Sequence, residues 1–281
     1  LRREGLRWRG LSPAQRLLTV YAAAVIFFEL IPVYLVVVYG LTDSLVYLLP
    51  RSLSLGNLFA LGSFDFGRGL GLGDIVAQSL AIAFIAATLS VGVSLATAYS
   101  IVHSSGSGRT FLSAATSAPL AVSRTALALG LYSAYGAGLL SLYGSWELLA
   151  ISHVTFIYPL TTRMIESSLL KIDPELVDAS LAMGASRLYA FLRVELPLIA
   201  PMLAASSLFA FSSSISEFTY ALIFSTGRLQ TMPVAVNVLI NARELGMSSA
   251  LTSLIILVIV ATAMASSLLA RRGIGGSIFG A

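Results

Sequence analysis

The sequence predicts an all-α polytopic membrane protein with six transmembrane helices, and three observations carry that prediction. Of its 281 residues 57% are hydrophobic and only 11% charged, with a mean hydropathy of +0.89, far from the composition of water-soluble domains. Apolar runs of about 18 residues or more recur along the chain, each long enough to cross the hydrocarbon core as a helix. These runs lack strand-type alternation, and in lipid only helices or closed barrels satisfy the whole backbone.

The runs follow in order. The first, Leu17 to Leu41, carries Glu29 and Pro32; it is too long for the core of a secretion signal and lacks a small-residue cleavage pattern behind it. The second, Ile75 to Val102, ends at His103 in the glycine-serine turn HSSGSG. The third, Phe111 to Gly138, contains Pro119 and Arg124, and the fourth, Leu148 to Ile165, holds His153 near its outer end. The fifth, Leu198 to Ser225, brings four serines together with Glu217, and the sixth is Met247 to Ala270. One helical domain over 17–270 is expected, between tails at 1–16 and 271–281.

Basic residues near span ends stay on the cytoplasmic side. Arg2, Arg3, Arg7, Arg9, Arg16, Arg109, Arg163, Lys171, Arg187, Arg193, Arg271 and Arg272 flank one set of ends; only Arg51, Arg68, Arg228 and Arg243 flank the other. Both termini and the 166–197 interruption are therefore expected to be cytoplasmic. The net charge of +4 follows from this asymmetry and points to no nucleic-acid partner, since no basic groove interleaved with aromatics is present.

Several chemistries are disfavoured. Without cysteine, no disulfide or thiolate metal site exists, and His103 and His153 lack the neighbouring ligands of a metal centre. GSGRT lacks the order of a phosphate-binding loop. Ser145 beside His153 sits at a span end without the glycine pattern expected of an intramembrane serine protease.

The polar interruption Glu166 to Pro197 reads as a structured element. Asp173 is a helix N-cap, Pro174 suits the first helical position, and Glu175 complements the helix dipole. Leu176, Val177, Ser180, Leu181 and Met183 make a helical stripe, and Gly184 suits the left-handed conformation that ends a helix. Ser186 caps a second helix through Leu188, Phe191, Leu192 and Val194 to Leu196, with Pro197 at the start of the fifth span. The result is a knuckle of two short helices. Its apolar stripe alone also fits an amphipathic helix lying in the membrane interface.

Asp178, Ala179 and Ser180 are followed after three residues by Gly184 and, nine residues later, by Val194, Glu195, Leu196 and Pro197. This resembles the E-A-A-(three)-G-(nine)-I-x-L-P signature of permease subunits of type I ATP-binding-cassette importers, with Asp for Glu and Ser for the second Ala. FAFSSSISEFTYALIF followed by LQTMPVAVNVL, and Gln78-Ser79-Leu80, are also similar to family segments.

The resemblance implies a MetI-like permease in the cell (inner) membrane that couples ATP hydrolysis by partner subunits to alternating access, and is not itself an enzyme. Asp178, Ala179, Ser180, Gly184, Leu196 and Pro197 would form the ATPase-docking loop. The implied partners are two cytoplasmic ATPase subunits, a second permease subunit, identical or related, an extracytoplasmic solute-binding protein and membrane lipid. No cofactor is expected on this chain; ATP and Mg belong to the ATPase. The Ser-Glu-Phe wording looks closer to iron, thiamine, polyamine and inorganic-anion permeases than to sugar permeases. An ion-coupled secondary transporter or channel would also use six spans, but no inverted repeat supports it.

Within the spans, a mid-membrane charge costs roughly 2.5–3.5 kcal/mol on insertion scales, so Glu29, Arg124 and Glu217 need partners or water. Ser213, Ser214, Glu217 and Phe218 either line a solute path or form an interhelical hydrogen-bond cluster; the resemblance favours the path. Arg124 either pairs with Glu217, as a gate or as a structural contact, or binds an anionic solute. Glu29 reads as a packing or lipid-interface residue.

Overall fold

The computed structural model describes residues 12–42, 45–46, 49–50, 52–136 and 141–276. Arg2, Arg3, Arg7, Arg9 and Arg51 lie outside the described residues, as do the side chains of Arg271 and Arg272.

Helix α1 spans Pro13–Gly40, followed by a minimal hairpin of β1 (Leu45–Val46) and β2 (Leu49–Pro50) and by α2 (Gly56–Ser63). Then come α3 (Leu72–His103), α4 (Gly106–Ser117), α5 (Arg124–Leu131) and α6 (Trp146–Leu169). The remaining helices are α7 (Pro174–Ala182), α8 (Arg187–Ala190), α9 (Leu196–Ile215), α10 (Thr219–Phe224), α11 (Met232–Asn241) and α12 (Leu245–Gly276). Among the described residues five helices are long and apolar enough to cross a membrane: α1, α3, α6, the run Arg187–Ile215 from α8 through α9, and α12. The chain is a multi-pass, all-α membrane protein.

The expected third span, Phe111 to Gly138, is not one continuous helix. Helix α4 stops at Ser117, Ala118–Ala121 forms a tighter turn around Pro119, and Val122 is extended. Proline lacks an N–H and crowds the carbonyl four residues back, so the chain leaves the helix until Ser123 recaps it by accepting from the Ala126 N–H at 3.2 Å. After α5, Tyr132–Gly136 forms a wider π-turn, and 137–140 lie outside the described residues. The expected fifth span, Leu198 to Ser225, is also interrupted: α9 ends at Ile215, and α10 begins only after Ser216, Glu217 and Phe218.

Four elements make the core: α3 packs on α6 and α9, α6 on α9, and α9 on α12. The α3 face toward its neighbours is built from small residues, with Ala83, Ala87, Ser90, Ser94 and Ala98 buried at helical spacing, so the backbones approach closely, as lipid-embedded helices require. Ser94 Oγ reaches α6 at both the Tyr158 carbonyl, 3.0 Å, and Thr161 Oγ1, 2.6 Å. The Ser212 and Thr262 hydroxyls join α9 to α12, and Ser266 Oγ donates to the Ala205 carbonyl at 2.9 Å.

Helix α1 packs on α12, and most of its remaining surface is exposed. Gly40 explains their crossing: a Cβ there would lie 2.7 Å from the Ala250 backbone nitrogen. Because the end of α1 meets the start of α12, the first turns of α1 share an end of the bundle with the last turns of α12. At the opposite end α2 packs on α12 and α3, with Leu61 and Phe66 buried. Asn57 Nδ2 donates to the Thr42 carbonyl at 3.0 Å. Gln78 and Ser79 of α3 accept from the Gln230 and Met232 N–H groups at 2.9 and 2.7 Å, which anchors the start of α11.

Candidate functional site

At one end of the bundle the 166–197 segment forms a closed knuckle. Asp173 accepts from the Glu175 N–H at 3.1 Å and starts α7, with Pro174 in the first helical position. The helix ends through paired bonds, Gly184 N–H to the Leu181 carbonyl at 2.9 Å and Ala185 N–H to the Ser180 carbonyl at 3.1 Å. That pairing places Gly184 at φ +89°, a conformation nearly free to glycine and costly to other residues. Ser186 then caps α8 by accepting from the Tyr189 N–H at 3.2 Å.

The chain does not break at Pro197. Phe191–Glu195 forms a π-turn, with the Leu196 N–H bonded to the Phe191 carbonyl. The wider turn relieves the crowding a proline imposes on an α-helical carbonyl. Arg187 to Ile215 is therefore one continuous helical run, roughly 43 Å long at 1.5 Å per residue.

Of the expected docking residues, Asp178, Ala179 and Gly184 are exposed, Ser180 is buried under the knuckle, and Leu196 and Pro197 lie at the start of α9. The outer surface also presents Leu176, Leu188, Tyr189 and Met183, the last 83% exposed.

Glu195, the variable position of the signature, escaped the sequence reading. It is 3% exposed, and its Oε1 lies 3.5 Å from His103 Nε2 at the end of α3. His103 Nδ1–H donates to the Tyr99 carbonyl at 3.0 Å, its ring stacks on Tyr99 at 4.1 Å, and Tyr99 meets Phe191 edge-on at 4.8 Å. A cavity of about 270 Å³ lined by His103, Pro174, Asp178, Arg187 and Glu195 separates α3 from the knuckle. Arg163, whose charge also marks the span end, is a clamp: it donates to Glu166 at 2.8 Å, to Ser117 Oγ at 2.6 Å and to Ser113 Oγ at 2.9 Å, fixing α4 to α6.

The second candidate site lies where the breaks in α4–α5 and α9–α10 meet. Arg124, the first residue of α5, sets its guanidinium 3.7 Å over the Phe156 ring and 3.8 Å from Glu217 Oε1. The Arg124 side chain is 50% exposed, whereas that of Glu217 is fully buried. Glu217 Oε2 accepts from the Tyr220 N–H at 3.0 Å and so caps α10, while Oε1 has no hydrogen-bond partner among the described residues.

The five expected path residues divide. Arg124 and Glu217 come together. Ser214 turns the other way and meets the buried His153 Nδ1 at 2.7 Å, an unforeseen pairing of α6 with α9. Ser213 lines, with Ser212, Ser216 and Phe209, an apolar groove of about 540 Å³ between α6, α9 and α12, and Phe218 is exposed. Ser212, Ser213 and Ser216 share that groove, whereas Ser214 falls on another face, because neighbouring helical residues point about 100° apart.

Comparison with known proteins agrees with this architecture. Residues 89–273 match the family described as binding-protein-dependent transport system inner membrane component. A segment is 36% identical over 115 residues to a probable ABC transporter permease, y4fN, of Sinorhizobium fredii, covering 39% of this chain but only 20% of that protein. The putative 2-aminoethylphosphonate transport system permease PhnV of Salmonella typhimurium is 22% identical over 263 residues, 93% of this chain and 97% of its own length. A crystal structure of a bacterial ABC transporter involved in alginate import superposes with a TM-score of 0.73 at 13% identity, covering 91% of this chain and 95% of that one; at that identity the likeness establishes the fold. The broken third span and the continuous knuckle-to-span helix thus belong to a permease subunit of a type I ATP-binding-cassette importer, and the chain is a member of the binding-protein-dependent inner-membrane component family.

Proposed function

We propose that this subunit forms half of a solute path and receives its driving motion through the knuckle at 173–197. The observation carrying the proposal is the knuckle's construction: a rigid, glycine-closed element with Leu176, Met183, Leu188 and Tyr189 uncovered and a continuous helix into the membrane. Uncovered apolar side chains beside exposed Asp178 suit a protein partner. In this reading two cytoplasmic ATPase subunits dock there, a second permease subunit, identical or related, completes the path, and an extracytoplasmic binding protein delivers solute. Both termini are then cytoplasmic, and ATP and Mg act on the ATPase.

Mechanically, displacement of α8 carries along the Arg187–Ile215 run to the break at Ser216, where α10, Glu217 and Arg124 begin. Movement at the knuckle is thereby delivered beside the intramembrane charge pair rather than dissipated in a loop. His103 and Glu195 tie the same root to α3. Ser213, Glu217, Phe218 and Arg124 border the path, and Ser214 braces α9 against His153. The solute is a small ion or metabolite, of the iron, thiamine, polyamine or inorganic-anion kind; the name of the PhnV relative points to an organophosphonate as one such candidate.

Affinity purification from the native membrane in mild detergent tests this reading. Recovery of a cytoplasmic ATPase, lost when Asp178 and Gly184 are replaced, is expected. Recovery of the chain alone, with flux in vesicles driven by an ion gradient and indifferent to ATP, would instead establish a secondary transporter.

A further inference from the structure

We infer that Arg124 is an oxyanion-binding station in the path, so that the transported solute carries a carboxylate, phosphonate or similar oxyanion group. The inference rests on the permease reading and deepens it.

Depth comes first. Phe156 lies about 15 Å along α6 from Trp146, on a helix about 36 Å long at 1.5 Å per residue, so the guanidinium stacked on it sits at hydrocarbon depth. Half of that side chain is uncovered. A charge at this depth faces water or a polar partner rather than acyl chains, which puts the open side of Arg124 on an aqueous path.

The donors are also available. Glu217 Oε1 at 3.8 Å is beyond hydrogen-bond distance, and Oε2 is engaged by the Tyr220 N–H. The guanidinium's five N–H donors form a planar fork that matches two oxygens of a carboxylate or phosphonate. That fork is already positioned, because the guanidinium carbon sits over the Phe156 ring and the Ser123 cap fixes the turn from which it projects.

Glu217 then has a definite part. Its buried charge holds Arg124 in place and competes with an incoming anion, keeping the station weak enough for release, as conduction requires. A polycation gains nothing here, since this carboxylate is fully buried.

Equilibrium binding to the purified full-length chain in lipid nanodiscs tests the inference, with labelled phosphate, sulfate, molybdate, 2-aminoethylphosphonate, thiamine and spermidine as probes. At least one oxyanion is expected to bind saturably without competition from spermidine. Arg124→Ala should weaken it about tenfold or more, and Arg124→Lys less, because lysine keeps the charge but not the fork. Glu217→Gln keeps an acceptor for the Tyr220 N–H and should tighten binding several-fold; a merely structural pair predicts weakening instead. Absence of oxyanion binding to the wild-type chain, unchanged binding in both Arg124 variants, or weaker binding in Glu217→Gln would overturn the inference. ATPase recovery with the wild-type chain reports separately on the docking reading, so the two fail independently.

Discussion

The knuckle and the intramembrane charge site both satisfy polar groups, but over different ranges of sequence. The caps and turn bonds that shape the knuckle join residues two to five apart: Asp173 to Glu175, Ser186 to Tyr189, Leu181 to Gly184, Ser180 to Ala185. The intramembrane site joins α5 to the α9–α10 break through Arg124 and Glu217, and α6 to α9 through His153 and Ser214. The first is encoded by neighbours and solvated on its outer face; the second exists only once helices have assembled. A lesion in the first should act on coupling through local backbone geometry, and one in the second on the stability and selectivity of the assembled spans.

The largest expected effect breaks the first region. Gly184→Val forces a β-branched residue to φ +89°, costing more than the 1–2 kcal/mol typical of left-handed residues. Nothing lies within 4 Å of the added Cβ, so backbone conformation rather than a clash would be responsible. ATP-driven uptake in vesicles should fall about tenfold or more with the chain still inserted, and Gly184→Asn, which tolerates this region, should retain part of it. Equal uptake by the Val and wild-type chains would show that the turn does not transmit motion.

Next comes the second region. Glu217→Ala strands the buried Tyr220 N–H and removes the counter-charge of Arg124, so thermal unfolding in detergent should show a loss of about 1–3 kcal/mol. Glu217→Gln should recover much of it. Equal losses would mean that charge, not the cap, dominates.

Asp173→Ala removes an N-cap and should cost α7 about 1 kcal/mol, read as faster local hydrogen exchange in 174–182. Ser214→Ala removes the partner of His153 and should cost about 0.6 kcal/mol, the mean for hydrogen bonds between membrane helices. No measurable loss would show that this pair does not brace the assembled spans.

This contrast also explains what the sequence reveals. Caps, proline placement and the glycine turn are short-range chemistry, so Asp173, Pro174, Gly184 and Ser186 were legible, and the spacing to Pro197 exposed the family resemblance. Span lengths were legible from apolar runs, but hydropathy averages over a helix break, which hid the interruptions at Val122 and Ser216–Phe218. Pro119 was the available signal for the first. The second carries no proline or glycine; Glu217 capping α10 is its only local mark. Arg163 counted as a topology charge because its serine partners sit on α4, and Glu195 passed unnoticed because burial beside His103 depends on how α3 meets the knuckle. The partition of Ser213 and Ser214 onto different faces follows from helix geometry, but which face meets His153 is decided by packing.

The absence of cysteine makes a direct test of the central claim available. With Met183→Cys as the sole thiol, a short thiol-reactive photocrosslinker in native membrane vesicles should join this subunit to a cytoplasmic ATPase. Phe27→Cys, on the uncovered face of α1, should not. Crosslinking of the ATPase at Met183 alone is the predicted result; its absence there, or equal capture from Phe27, would contradict the knuckle as the docking element.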